Sequence, residues 1–415
     1  MKIYYAILFS VFFHLISNAQ ESKRVLFLGN SYVGVNNLPQ MVTALATSAG
    51  DEITQDSNTP GGMTLQGHST NSTSLNKIMQ GNWDYVVLQE QSQMPSLPNS
   101  YVQSNVYPYA QTLSNTINQY NDCAETIFYM TWGRENGDQS NCASWPPVCT
   151  YEGMDDLLQL RYTNMAQQNS AILSPVAAVW RYLRTNNPEI QLYSSDESHP
   201  SLAGSYAAAC AFYSVIFRKS PLLITNNYSL PNSEAEAIRF ATQVVVAENF
   251  AQWFVGTYDP LSQFTFDTNN NSVSFTNASL NSTDYYWDFG DGNTSELENP
   301  THSYSESGIY TASLTSSNCG IENTSEVNIE ITALDNQNFA FANVTLSPNP
   351  TLDFFHINSE VDEVRVYDFL GRKQLVNHYS VNGNTEVDCR NLSSGIYVVS
   401  FSKEEIQKQI KLVIQ

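Results

Sequence analysis

A parallel β-sheet covered by helices on both faces, followed by two small all-β units, is the architecture the sequence predicts. Three observations carry it. From Gln20 to Tyr258 short apolar runs alternate with helix-like runs, the pattern of a sheet built by crossovers. After Asp259-Pro260 the pattern changes to short alternating runs broken by Asn, Ser, Gly and Asp clusters. The chain has 415 residues, more than a single core accommodates.

Within the α/β region the expected strands are Val25–Leu28, Tyr85–Leu88, Thr126–Met130 and Ile190–Tyr193, each an apolar run bounded by polar residues. The expected helices are Leu38–Ala49, Tyr101–Tyr120, Tyr151–Ser170, Ala177–Asn186, Pro200–Phe217 and Ser233–Phe254. Pro200 suits the first turn of its helix. Residues 262–333 read as a β-sandwich, 334–343 as a linker, and 344–415 as a second all-β unit. No heptad or collagen-like repeat occurs.

The charge is lopsided: 18 basic against 40 acidic residues, a net −22. Such a surface excludes nucleic acid and anionic membrane as partners. Residues 1–19 read as a secretory signal: Lys2, then "YYAILFSVFFHLI", then Ser17-Asn18-Ala19 as the cleavage site. No later segment is long and apolar enough to predict a membrane span. Export permits disulfides among the six cysteines. Cys142 and Cys149 bracket a Trp-Pro-Pro loop and form the expected pair. No CxxC spacing predicts zinc, and no metal or cofactor is expected.

The chemistry starts at "RVLFLGNSY". A buried strand ends in Gly29-Asn30-Ser31, placing a hydroxyl in a tight turn before a helix. A serine nucleophile needs a base, and the base needs an orienting group. Of six histidines, only His68 and His199 fall in the mature α/β region. Asp196 precedes His199 by three residues, on one turn, so its carboxylate can fix the imidazole tautomer. Strand ends of a parallel sheet converge on one edge, where Ser31 and His199 can meet. An oxyanion hole is the third requirement. The Ser31 N–H, the Gly61-Gly62 turn of "TPGGMTL" and the amides of "LQEQS" supply candidate donors. A Gly-x-Ser-x-Gly elbow is absent, because position 33 is Val.

These blocks together resemble the SGNH, or GDSL-like, hydrolase superfamily over Arg24 to Tyr258. "FLGNSY" matches the first block with Ser31 as nucleophile. "TPGGMT" matches the second, with Gly62 (Gly61 the alternative) as oxyanion donor. "DESH" matches the last, with Asp196 and His199. The third block is usually Gly-x-Asn-Asp, and here it reads "QEQS". Gln91 falls where the oxyanion asparagine stands, while a Gln-Gly-Glu version of the block favours Gln89. The resemblance implies a flavodoxin-like three-layer α/β/α fold and ester hydrolysis through an acyl-serine, without metal. Asn30, Gly61, His68, Trp132 and Arg134 are further candidates for touching substrate: His68 in "TLQGHS" as a cleft residue, Trp132 and Arg134 because "MTWGRENGD" follows a strand.

"YYWDFGDGNTSELENPTHSYSESGIYTASL" resembles a PKD domain, an immunoglobulin-like sandwich in which Trp287 and Phe289 fill the core and Gly290 to Asn293 turn the chain. "LSPNPTLDFFHI", "VRVYDFLGRKQL", "LSSGIYVVSF" and "QKQIKLVIQ" resemble, in order, the C-terminal sorting domain of type IX secretion in Bacteroidota. That implies export across both membranes by the type IX machinery, to the medium or the cell surface. The expected function is an exported serine esterase acting on O-acyl or O-acetyl carbohydrates. The alternatives are a lipase or phospholipase of the same superfamily, and a non-catalytic binding or adhesion protein that keeps the fold.

Overall fold

The structure is a computed structural model describing residues 20–332, 343–403 and 406–415. The expected signal peptide and all of the expected linker except Asn343 lie outside the described residues. Contacts divide the chain into two units: Met1–Ser262 with Ser279–Asp284 and Ser316–Asn323, and the remainder from Gln263 onward.

The first unit is built on a five-stranded parallel sheet: β1 (Ser22–Leu28), β2 (Glu52–Asn58), β3 (Tyr85–Leu88), β4 (Glu125–Tyr129) and β5 (Ile172–Ser174), in the order β2-β1-β3-β4-β5. This is the flavodoxin-like winding order. β3 is buried along its whole length, as a strand covered on both faces must be. Helices Leu38–Ser48, Val176–Asn186, Leu202–Phe217 and Asn232–Thr242 pack with one another, and helices Leu65–Thr70, Ser72–Ile78, Tyr107–Tyr120 and Tyr151–Gln168 form a second group. The three-layer expectation therefore holds.

The strand assignment needed correction. Ile190–Tyr193 is not a strand: its apolar side chains are buried, but Tyr193 makes only an isolated bridge to Pro200. The carbonyl of Leu192 accepts from Ser201 N–H, at 2.9 Å, not from a neighbouring strand. β2 escaped notice because "EITQDSN" buries only Ile53, as an edge strand can. β5 is three residues long and too short to announce itself.

Helix ends follow local chemistry. The expected Tyr101–Tyr120 helix is two, Asn99–Asn105 and Tyr107–Tyr120, because Pro108 forces a new start. The helix expected from Pro200 begins at Leu202, since the Ser201 hydroxyl caps it by accepting from Gly204 N–H at 3.1 Å. No helix among the described residues is long and apolar enough to cross a membrane.

Cys142 and Cys149 are disulfide-bonded, as expected. A second disulfide, Cys123–Cys319, spans 196 residues and closes within the first unit. Sequence reading did not foresee it.

In the second unit every described element is β. Sheets of three and four antiparallel strands lie between Phe264 and Ile331, around a core of Trp287, Phe289 and Tyr304. Two further four-stranded sheets lie between Leu346 and Ile414, around Phe355, Val399 and Leu412.

Candidate active site

β1 delivers Ser31. Its last residues are fully buried, and Gly29 follows. A Cβ on Gly29 would stand 2.6 Å from Val33 and 2.7 Å from Gln89, so only glycine fits the turn. Asn30 then caps the short helix Ser31–Gly34: its Oδ1 accepts from Tyr32 N–H at 3.1 Å. Its Nδ2 donates to the Met63 carbonyl at 2.9 Å. Asn30 is buried with both ends of its amide engaged, which corrects the expectation that its side chain meets substrate.

The structure brings Ser31, His199 and Asp196 together. Ser31 Oγ lies 2.8 Å from His199 Nε2. His199 Nδ1 lies 2.5 Å from Asp196 Oδ2. A carboxylate only accepts, so Nδ1 carries the ring proton and Nε2 is left to accept from the serine hydroxyl. Asp196 Oδ1 also accepts from the backbone N–H groups of Ser198 and His199, at 3.1 and 2.9 Å. Burial pushes the Asp196 carboxyl up, but the hydrogen bonds from the His199 ring and these two N–H groups outweigh it and hold the pKa below the usual carboxylate range.

Aromatic rings support the histidine. Tyr32 and His199 meet edge to face, 5.2 Å between ring centroids. Tyr32 in turn stacks on Trp132, and Trp132 on Trp180 at 3.6 Å. The Trp132 indole N–H donates to the Ser198 carbonyl at 3.1 Å, and the Tyr32 hydroxyl lies 2.6 Å from Ser198 Oγ. Ser198 immediately precedes His199, so this stack helps fix the chain that carries the His199 ring. Trp132 is wholly buried, which corrects the expectation that it touches substrate.

His68 is corrected in the same way. It is fully buried, its Nε2 donating to the Gly29 carbonyl at 2.9 Å and its Nδ1 lying 2.7 Å from Ser74 Oγ. Burial pushes its pKa down, and its neutral ring braces the Gly29-Asn30-Ser31 turn rather than lining a cleft.

The "QEQS" segment follows β3. Gln89 is fully buried; its Oε1 accepts from Asn30 N–H at 2.9 Å and its Nε2 donates to the Glu90 carbonyl. Its amide is wholly buried with both ends turned onto backbone groups, which corrects its place among the oxyanion candidates. Gln91 is half-buried. Its Oε1 accepts from Gln93 N–H at 2.8 Å, while Nε2 donates to Gln93 Oε1 at 3.2 Å and keeps a second hydrogen. Gly61 and Gly62 are exposed, and Gly62 has φ +70° with open space around it. The N–H groups of Ser31 and Gly62 have no partner among the described residues. Arg134 is partly exposed, 3.6 Å from Asp138, and its field reaches Tyr32.

Tyr32, Ser198, Trp180 and Glu90 escaped sequence reading. Tyr32 alone carried a signal, as the residue directly after Ser31.

Family models match the second half of the chain: a PKD domain over residues 260–332 and a secretion system C-terminal sorting domain over 345–415. The chain carries both domains. In the PKD domain Trp287 is buried and Asp288 and Asp291 hold the turn, accepting from Gly290 and Asn293 N–H at 2.9 and 3.0 Å. Solved structures similar to the N-terminal part include a DUF4886 family protein from Bacteroides uniformis, 15% identical over 54% of this chain and 94% of its own, with TM-score 0.45. They also include a putative SGNH hydrolase from Slackia heliotrinireducens, 26% identical over 46% and 97%, with TM-score 0.39. The PKD domain is similar to the PKD1 domain of the Vibrio cholerae metalloprotease PrtV, 32% identical over 18% and 99%, with TM-score 0.18. No curated protein matches the chain.

Proposed function

We propose that the chain is an exported serine esterase of the SGNH type. The observation that carries the reading is the hydrogen-bonded line from Ser31 Oγ through His199 to Asp196. Ser31 attacks an ester carbonyl while His199 Nε2 takes its proton. Asp196 orients the ring and stabilises the imidazolium. The oxyanion is received by the N–H groups of Ser31 and Gly62 and by the Gln91 amide. His199 returns the proton to the leaving alcohol, then activates water to release the acid from the acyl-serine.

The substrates are O-acyl groups on carbohydrate, acetyl foremost. An exported chain with a sorting domain and a PKD domain meets glycans outside the cell. Arg134 and the exposed Gly61-Gly62 turn are the candidates for touching the sugar, because both reach solvent. A fluorophosphonate probe tests the nucleophile: mass spectrometry of the labelled full chain is expected to place the adduct on Ser31. An adduct elsewhere, or none, contradicts the assignment. Acetylated xylan against long-chain lipid esters tests the substrate class, with turnover of the glycan expected to dominate.

A further inference from the structure

One buried carboxyl beside the site has no part in the steps above. Glu90 is fully buried at the end of β3, between Gln89 and Gln91. Its carboxyl faces two backbone N–H groups from different loops. Oε1 accepts from Gln91 N–H at 2.5 Å, and both oxygens lie 3.3 Å from Leu65 N. Leu65 follows the Gly61-Gly62 turn and opens the helix Leu65–Thr70. The same loop is tied to the nucleophile turn, because Asn30 Nδ2 donates to the Met63 carbonyl.

We infer that Glu90 is a positioning residue: its carboxyl clamps the Gly62 loop to the Gln91 turn and so sets the spacing of the oxyanion hole. The inference rests on the esterase reading above. No donor in such a hole works alone, since the geometry must suit the tetrahedral oxygen rather than the ground-state carbonyl. Glu90 touches neither substrate nor Ser31, and acts through the backbone it holds. Removing the clamp leaves two buried N–H groups without an acceptor and lets the loops separate. Displacements on the order of 1 Å at a catalytic group cost about 100-fold in rate.

The test compares Glu90→Gln and Glu90→Leu in the full chain, on p-nitrophenyl acetate. Rates are expressed per Ser31 titrated by the acylation burst. The Gln variant keeps an acceptor oxygen and is expected to retain kcat within about 3-fold, while the Leu variant loses about 10- to 100-fold. KM is expected to change little in either, because the hole is filled only in the transition state. If Glu90 merely supported the fold, the Leu variant would yield fewer active sites of unchanged kcat; that result overturns the inference and leaves the esterase reading intact. Equal losses in both variants also overturn it. Should the Leu variant not fold, Glu90→Ser, which admits water to the two N–H groups, reads the same quantity. A wild-type chain that turns over no ester overturns both the inference and the reading beneath it.

Discussion

Tyr32 lies flat on Trp132, with ring centroids 5.0 Å apart and planes 7° from parallel. One ring follows Ser31 and the other follows β4; the Trp132 indole N–H holds the Ser198 carbonyl and the Tyr32 hydroxyl meets the Ser198 side chain, just before His199. An offset parallel stack of this kind adds about 1 kcal/mol beyond burial. Trp132→Ala empties a fully buried site, so it is expected to cost about 4 kcal/mol in denaturant unfolding. Tyr32→Phe keeps the stack but removes the hydroxyl at Ser198. It is expected to lower kcat several-fold with little change in unfolding midpoint.

Asp196→Asn tests the orienting carboxylate. An amide at this position can present a donor to Nδ1 and favour the wrong tautomer. The expected loss in kcat is about 10³-fold, somewhat less than for a fully buried orienting group, since Asp196 is half exposed. An unchanged urea unfolding midpoint checks that the variant still folds.

Much of this site was legible because its signals are local. Asp196 and His199 lie within one turn of chain, and Ser31 directly follows an apolar run. The three-layer fold was legible from the alternation of runs. What was not legible depends on partners far along the chain. The burial that turns His68 into a brace comes from Gly29 and Ser74. The environment of Glu90 is made by the Leu65 and Gln91 backbone. β2 hides among polar residues because an edge strand buries little, and Ile190–Tyr193 looks like a strand because burial alone selects apolar residues.

Glu90 makes stability fall with pH. Burial pushes its carboxyl from 4.5 up to about 8, against the pull of the Gln91 and Leu65 N–H groups. Between those two values the folded chain holds a proton that the unfolded chain has released, so each rise in pH disfavours the fold. Above about 8 both states are ionised and the loss is complete. Glu90→Gln lacks this titration. Urea midpoints from pH 5 to 8 are expected to fall more steeply in the wild type than in the Gln variant; parallel profiles would contradict the assignment.

The two disulfides differ in the loop they close. Cys123–Cys319 spans 196 residues and Cys142–Cys149 spans seven. Chain-entropy arguments give about 5 kcal/mol for the first and about 2 kcal/mol for the second. Cys319→Ser is therefore expected to lower the unfolding midpoint more than Cys149→Ser. The reverse order would show that native-state packing, not loop closure, dominates.

The most direct test of the whole account is acetate release by the full chain on p-nitrophenyl acetate and acetylated xylan, beside Ser31→Ala. The account predicts turnover by the wild type and a loss of about 10⁴-fold or more in the variant. Equal activity in both proteins would contradict it, because the hydroxyl at the end of β1 would then not be the nucleophile.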